Sequence, residues 1–453
     1  MGKRISSLMV ERITDELKTL AQTLWENPEI AYQEKLASRE TADFLRRYGF
    51  SVEEKYLGIP TCIRAVWGAG QPVIGILSEY DALPGMSQKV TSHPEPVVQG
   101  NPGHACGHNL LNGASVGGAI AIKEELEQRG LPGTVVFYGC PAEEVLTGKP
   151  LMAREGAFRE LDLAFAFHPY HINAVAKNVY SGVNSVKFHF KGIPAHAAKE
   201  PENGRSALDA VELMNIGANY LREHVPKDVM FHYSIVNGGG LPNTVPERAS
   251  VWYYIRSMSR EKIDQVYDRL KDIASGAALM TGTSYEIEFL GGCYETLSNH
   301  TVADVFLQAF EEIEKPVWTE EEKHFAEELN KTTNMYQRVA QMEPLCVEAP
   351  VVLTQPEFGS TDIADVSHIC PCTQFDVATW SRGATAHSWQ AAAATGMSIG
   401  QKGMLYAASV MAAAAMIFVE NPDLVDKAKS EFDNAMKNRE YKCPLPSDFM
   451  VVE

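Results

Sequence analysis

The sequence predicts an α/β protein in which a mostly parallel sheet is interrupted by an inserted ferredoxin-like α+β domain. Three observations carry this. Short apolar runs, each closing on acidic residues or histidine and followed by a helical stretch, recur through the first part of the chain. Residues 183–294 read as β-α-β-β-α-β. The first pattern then resumes, which divides the chain into 1–182, 183–294 and 295–453, with the outer two segments forming one domain.

Taken in order, Met9, Ile13, Leu17, Leu20 and Leu24 repeat at helical spacing and predict a helix from about Leu8 to Asn27; a second covers Ala37–Tyr48. Met1-Gly2-Lys3-Arg4-Ile5-Ser6 fits the loose myristoylation pattern, but reads better as the basic start of an amphipathic helix. Val73–Leu77 is a buried strand that runs into Ser78-Glu79-Tyr80-Asp81, so two carboxylates stand past its carboxyl end, where open α/β sheets build their sites. A Pro/Gly/Ser-rich loop leads to Gly103-His104-Ala105-Cys106-Gly107-His108-Asn109, and a helix follows Asn112-Gly113-Ala114 to about Gln128. Thr134–Tyr138 is a strand closing on Pro141-Ala142-Glu143-Glu144, and Leu163–Phe167 another closing on His168. In the insert, strands fall at 186–190, 229–236, 249–256 and 284–290, with helices at 203–223 and 261–278. Glu320–Glu328 reads as a solvated acidic helix, and Ala386-His387-Ser388 precedes a long alanine-rich helix.

Composition bounds the function. The chain of 453 residues is 45% hydrophobic and 22% charged, ordinary for a globular protein. Its 40 basic and 58 acidic residues leave a net charge of −18, which argues against a nucleic-acid or membrane-surface partner. An anionic substrate would need a local arginine to overcome that field. The run Met404–Val419 is shorter than the roughly 20 residues that span a bilayer and reads as a buried helix. Eight scattered cysteines read as reduced thiols of a cytoplasmic protein.

Cys106 and His108, two apart, would point to the same side of an extended segment, where a thiolate and an imidazole can grip one metal ion or a bridged pair. The alternative chemistry is a thiol hydrolase using Cys106 and a histidine, which needs an accessible thiolate. Other segments deliver metal-type side chains at strand ends, which favours the metal.

The order and spacing of Gly103–Asn109, Pro141–Glu144, Phe167-His168-Pro169 and Ala386-His387-Ser388 resemble the two-metal amidohydrolases and carboxypeptidases that include hippuricase and carboxypeptidase G. Ser78–Pro84 and Gly107–Leu111 favour the aminobenzoyl-glutamate hydrolase branch. The resemblance implies a phosphorylase/hydrolase-like catalytic domain carrying a lid/dimerisation insert. It implies two divalent ions, zinc or manganese, held by Cys106, His108, Glu144, His168 and His387, with Cys106 between them. Glu143 would be the general base, and Asp81 would orient a ligand. His196, in Lys191–Ala197, would reach a partner's site and steady an oxyanion, with Asn243 and Arg256 contacting substrate. His104 and His171 read as structural and loop residues. Gly359-Ser360-Thr361-Asp362 replaces a common family pattern, so the pocket does not transfer from hippuricase.

The expected protein is a metal-dependent amidohydrolase. It would cut an N-acyl or aminobenzoyl amino acid bearing a free carboxylate, and work as a homodimer or with a homologous second subunit. A dipeptidase or carboxypeptidase of the same fold, or a non-catalytic binding protein, are the rivals.

Overall fold

In the computed structural model, which describes residues 4–451, an eight-stranded sheet organises the larger unit. Four strands at its centre are parallel, in the spatial order Gly133–Cys140, Val73–Glu79, Leu163–Tyr170 and Cys372–Ala378. Ile63–Ala69 and Ser51–Glu54 extend one side antiparallel. Ala174–Ala176, antiparallel to Cys372–Ala378, and Val351–Leu353 complete the other.

Side chains alternate between the two faces of each strand, and here both faces are buried. Ile74, Ile76, Val135, Phe137, Leu163, Phe165 and Phe167 enter one apolar core with helices Thr14–Glu26, His108–Arg129, His300–Glu312 and Ser398–Glu420. Leu77, Val136, Tyr138, Ala164 and Ala166 enter a second, closed by Gly148–Arg154, Ile363–Ser367 and Leu445. Ser398–Glu420 is long and apolar enough to cross a membrane, yet it is a core helix, buried on every turn from Met404 to Phe418.

Several boundaries differ from the sequence expectation. The first helix is two, Ile5–Arg12 and Thr14–Glu26, broken at Ile13; Met1–Lys3 of the myristoylation pattern lie outside the described residues. The helix expected after Asn112 starts at His108. A short helix, Trp389–Thr395, separates His387 from the long one. The acidic helix, Glu320–Lys331, is not wholly solvated: Glu322 is buried, closes a capping box with Thr319 and accepts from Lys402 Nζ at 2.7 Å.

The insert is a four-stranded antiparallel sheet with Ser284–Cys293 and Arg248–Ser257 flanking Gly182–Lys191, and Met230–Asn237 at the edge. Val186, Phe188, Val251, Tyr253 and Ile255 pack under helices Ala207–Leu221 and Arg260–Thr281. Trp252, Tyr254 and Arg256, one residue out of phase, therefore face away from that core. The β-α-β-β-α-β order is present as expected.

His108–Arg129 lies close to its neighbours because of its glycines. A Cβ on Gly117 would stand 2.7 Å from Leu17 Cδ1 and 3.2 Å from Ala408 Cβ. Gly117→Leu should therefore overpack this seam and cost about 1–3 kcal/mol, read as a lowered Tm in a thermal melt; an unchanged Tm would show that the seam is not tightly packed.

Candidate metal centre

Three strand ends and two turns converge at the carboxyl edge of the parallel strands. Gly107 makes the first turn possible. Its φ of 81° lies in the left-handed region, and a Cβ there would stand 2.8 Å from Pro169 Cβ, on the strand that bears His168. Cys106 and His108 face one point through this turn, rather than through the extended segment expected from their spacing. A second turn, Glu143–Val145, is bracketed by Ala142 and Leu146 at φ 58° and 56°. It is held by Glu34, which accepts from Ala142 N at 2.9 Å and from Thr61 Oγ1 at 2.6 Å. His387 is also left-handed, at φ 61°, and its N–H donates to Ala105 O at 2.9 Å, tying its turn to the Cys106 segment.

The ligand atoms fall into two triads that share the thiol: Cys106, His108 and His168, and Cys106, Glu144 and His387, each within 4.8 Å. A third group, Glu79, His108 and Glu143, meets the same limit. Asp81 orients two members: its Oδ1 lies 3.0 Å from His108 Nδ1 and its Oδ2 accepts from Glu144 N at 2.9 Å. His168 Nδ1 lies 2.7 Å from Pro169 O. An Nδ1–H donated to these oxygens leaves each Nε2 lone pair free.

The donor set fits divalent metal on observations of the chain itself. His108 Nε2, Glu144 Oε1 and Glu79 Oε2 are buried without a hydrogen-bond partner, although Nε2 stands 3.3 Å from Glu79 Oε2 and 4.0 Å from Glu144 Oε1. Such orphans are costly unless a further group meets them. Burial pushes Glu144 up to about 8 and Glu143 well above the carboxylate range, and raises the Cys106 thiol. Burial lowers His168 to about 4, with the His108 charge adding, and lowers His387 for the same reasons. Neutral imidazoles are the ligand form, and crowded acids that resist ionisation alone ionise beside a cation. Two triads sharing one sulfur suit a pair of ions, and a mixed thiolate, imidazole and carboxylate set suits zinc well. Cys106 is only 6% exposed, and its raised thiol is the opposite of what a thiolate nucleophile needs.

A buried lysine went unseen in the sequence. Lys149 Nζ bonds Glu79 Oε1 at 2.6 Å and also Asp362, whose Oδ2 accepts from Lys149 N at 2.9 Å. This triad assigns Asp362 to the support of the site. Thr147-Gly148-Lys149-Pro150 carries no spacing that would have revealed it.

The cleft above these groups encloses about 880 Å³ and is lined by Cys106, Glu143, Glu144, His168, His387 and Arg256 among others. Arg256 Nη1 donates to Ser360 Oγ at 2.7 Å and Phe358 O at 3.2 Å, and among the described residues it forms no ion pair. His196 and Asn243 do not line this cleft. They lie together on the insert, where Ala197 N donates to Asn243 O at 2.9 Å, and His196 is exposed. His104 is buried beside the Leu24 carbonyl, as a structural residue would be, whereas His171 follows the strand and lines the cleft against Tyr170.

Residues 180–279 match the peptidase dimerisation domain. A p-aminobenzoyl-glutamate hydrolase subunit of Escherichia coli (strain K12) is 37% identical over 97% of this chain and 95% of its own length. The Xaa-Arg dipeptidase of Mus musculus is 29% identical over 99% of this chain and 94% of its own. A dinuclear metal-binding peptidase from Bacillus subtilis superposes with a TM-score of 0.61 at 18% identity, covering 90% of this chain and 99% of its own, which speaks to the fold. A full-length relative above a third identity, a dimerisation insert in the expected place and a convergent set of metal-type donors agree: the chain belongs to the M20 family of metallopeptidases and amidohydrolases.

Proposed function

We propose that this M20 hydrolase cuts the amide bond joining an acyl or aminobenzoyl group to an amino acid with a free carboxylate. The observation that carries the reading is one cleft that holds the shared-thiol donor set, the unligated Glu143 and the unpaired Arg256. Cys106, His108, Glu144, His168 and His387 would hold two divalent ions, zinc or manganese. When bound, these supply an acidified water and a polarised carbonyl. Glu143 is the residue that moves the proton. Burial, with the carboxylates of Glu79, Asp362 and Glu144, raises its proton affinity. A proton taken from water therefore stays on Glu143 until the leaving nitrogen receives it. Arg256 offers a planar fork to the substrate carboxylate, and the strongly negative chain makes that local charge necessary.

The proposal includes a homodimer through the insert, with His196 and Asn243 of a second copy completing the oxyanion site. Their exposure, away from their own chain's cleft, supports this. A homologous second subunit is the other form of the same assembly. Eight free thiols support a cytoplasmic location. A dipeptidase reading is kept beside the first because full-length relatives include enzymes named for Xaa-Arg dipeptides.

Metal analysis of the purified protein should find about two ions per chain, with hydrolysis of aminobenzoyl-glutamate, acyl amino acids or dipeptides lost on chelation and restored by zinc or manganese. A fully active metal-free preparation would sink the reading. Glu143→Gln should lower kcat by roughly 10²–10⁴-fold while metal content stays the same; an unchanged kcat would remove Glu143 from the chemistry. Arg256→Ala should raise KM by about tenfold or more for substrates with a free carboxylate, but not for the matching carboxamides. Equal effects on both would assign Arg256 a structural role.

A further inference from the structure

One wall of the cleft presents carboxylates and aromatic rings that belong to none of the donor triads. Asp376 is paired in register with His168 across two parallel strands. In-register residues of neighbouring strands project to the same face, about 4.8 Å apart. Asp376 therefore stands one strand over from the metal centre and lines the same cleft. It is 2% exposed, and among the described residues its carboxylate is met only by Gln374 Nε2, at 2.8 Å.

Three further groups converge there. Tyr170 ends the strand that bears His168, opposite Ala378. Tyr180 bridges to Glu357, and both Glu357 Cγ and Tyr180 Cδ1 come within 4 Å of a Cβ placed on Gly359, so this second carboxylate lies beside the phenol ring. Asn178, two residues before Tyr180, is 4% exposed and lines the cleft; its Oδ1 is buried and without a partner. Burial raises both tyrosine hydroxyls, with Asp376 and Glu357 adding to the effect, and burial also pushes the Asp376 carboxyl up to about 7, so a cation beside it would favour its charged form.

Two carboxylates and an orphaned amide oxygen accept hydrogen bonds, and two tyrosine rings present negative faces. A ligand group that satisfies all of them is a donor-rich cation. We infer that this wall is a subsite for a protonated amine or guanidinium carried by the substrate. The inference rests on the hydrolase reading above and narrows its substrate class. It also divides the cleft by charge: Arg256 meets a carboxylate, and the Asp376 wall meets a cation. The cation can come from a basic side chain or from the free amine of a dipeptide.

Two matched pairs separate these sources. Acetyl-lysine is compared with acetyl-norleucine, and glycyl-alanine with acetylglycyl-alanine. kcat/KM is measured on the metal-loaded full-length protein, and binding of the same four compounds is titrated calorimetrically on its Glu143→Gln form, where turnover does not interfere. The expected result is a preference of about tenfold or more for the cationic member of one pair, which identifies the source. That ratio should collapse in Asp376→Asn and shrink in Glu357→Gln; the second variant, at the exposed rim, decides the matter if the buried one does not fold. Equal binding within both pairs, or a preference that survives both variants, overturns the subsite. Turnover without preference leaves the hydrolase reading standing and removes the subsite; preference in binding without turnover of any compound does the reverse.

Discussion

The structure depends on the burial of too many acids in one place. Glu34, Glu79, Asp81, Glu143, Glu144 and Asp362 gather beneath the carboxyl edge of the sheet, and Asp81 and Asp362 are almost wholly enclosed. Carboxylates this close and this dry cannot all ionise unaided. Lys149 answers part of the excess by bonding Glu79 and Asp362. His108 stands among them with its Nδ1 3.0 Å from Asp81 Oδ1 and its Nε2 3.3 Å from Glu79 Oε2. What remains is the orphaned set of His108 Nε2, Glu144 Oε1 and Glu79 Oε2, which a pair of dications would satisfy.

The backbone around the site is arranged to hold that excess in register. Left-handed residues at Gly107, Ala142, Leu146 and His387 turn the chain sharply on each side of the cleft. Each turn is tied to a different segment: Ala142 N to Glu34, Glu144 N to Asp81, His387 N to Ala105. A ligand set drawn from separate parts of the chain thus behaves as one rigid unit, which two-ion chemistry requires of its donors. The insert contributes from outside. Its sheet turns Tyr254 and Arg256 away from its own core, so a positive charge reaches a cleft that also holds Glu143, Glu144, Glu357 and Asp376.

Much of this was legible in residue order. Apolar runs ending in Glu-Tyr-Asp, Glu-Glu and His mark strands whose ends carry chemistry, and the β-α-β-β-α-β segment marks an insert, because local periodicity reports which faces are buried. The family resemblance of their segments implied Cys106, His108, Glu144, His168 and His387 as ligands, and these side chains fall in the two shared-thiol triads. The helix start at His108 and the break at Ile13 were missed because a left-handed glycine and a helix junction leave no periodic trace. Lys149 and Glu34 were missed as supports of the site for a related reason. An isolated charged residue in a sequence looks the same whether it ends in solvent or beneath a sheet.

By itself the sequence determined the architecture and the presence of metal-type side chains at strand ends, since these follow from short-range pattern; the division into ligands and base was what the family resemblance implied. Only the tertiary structure decided that Asp362 belongs with a buried lysine, that Arg256 forms no ion pair among the described residues, and that Asn243 lies with His196 away from their own chain's cleft. Those facts depend on strand order and sheet register, which bring residues hundreds of positions apart to within hydrogen-bond distance, and on burial, which sets whether a charge needs a partner.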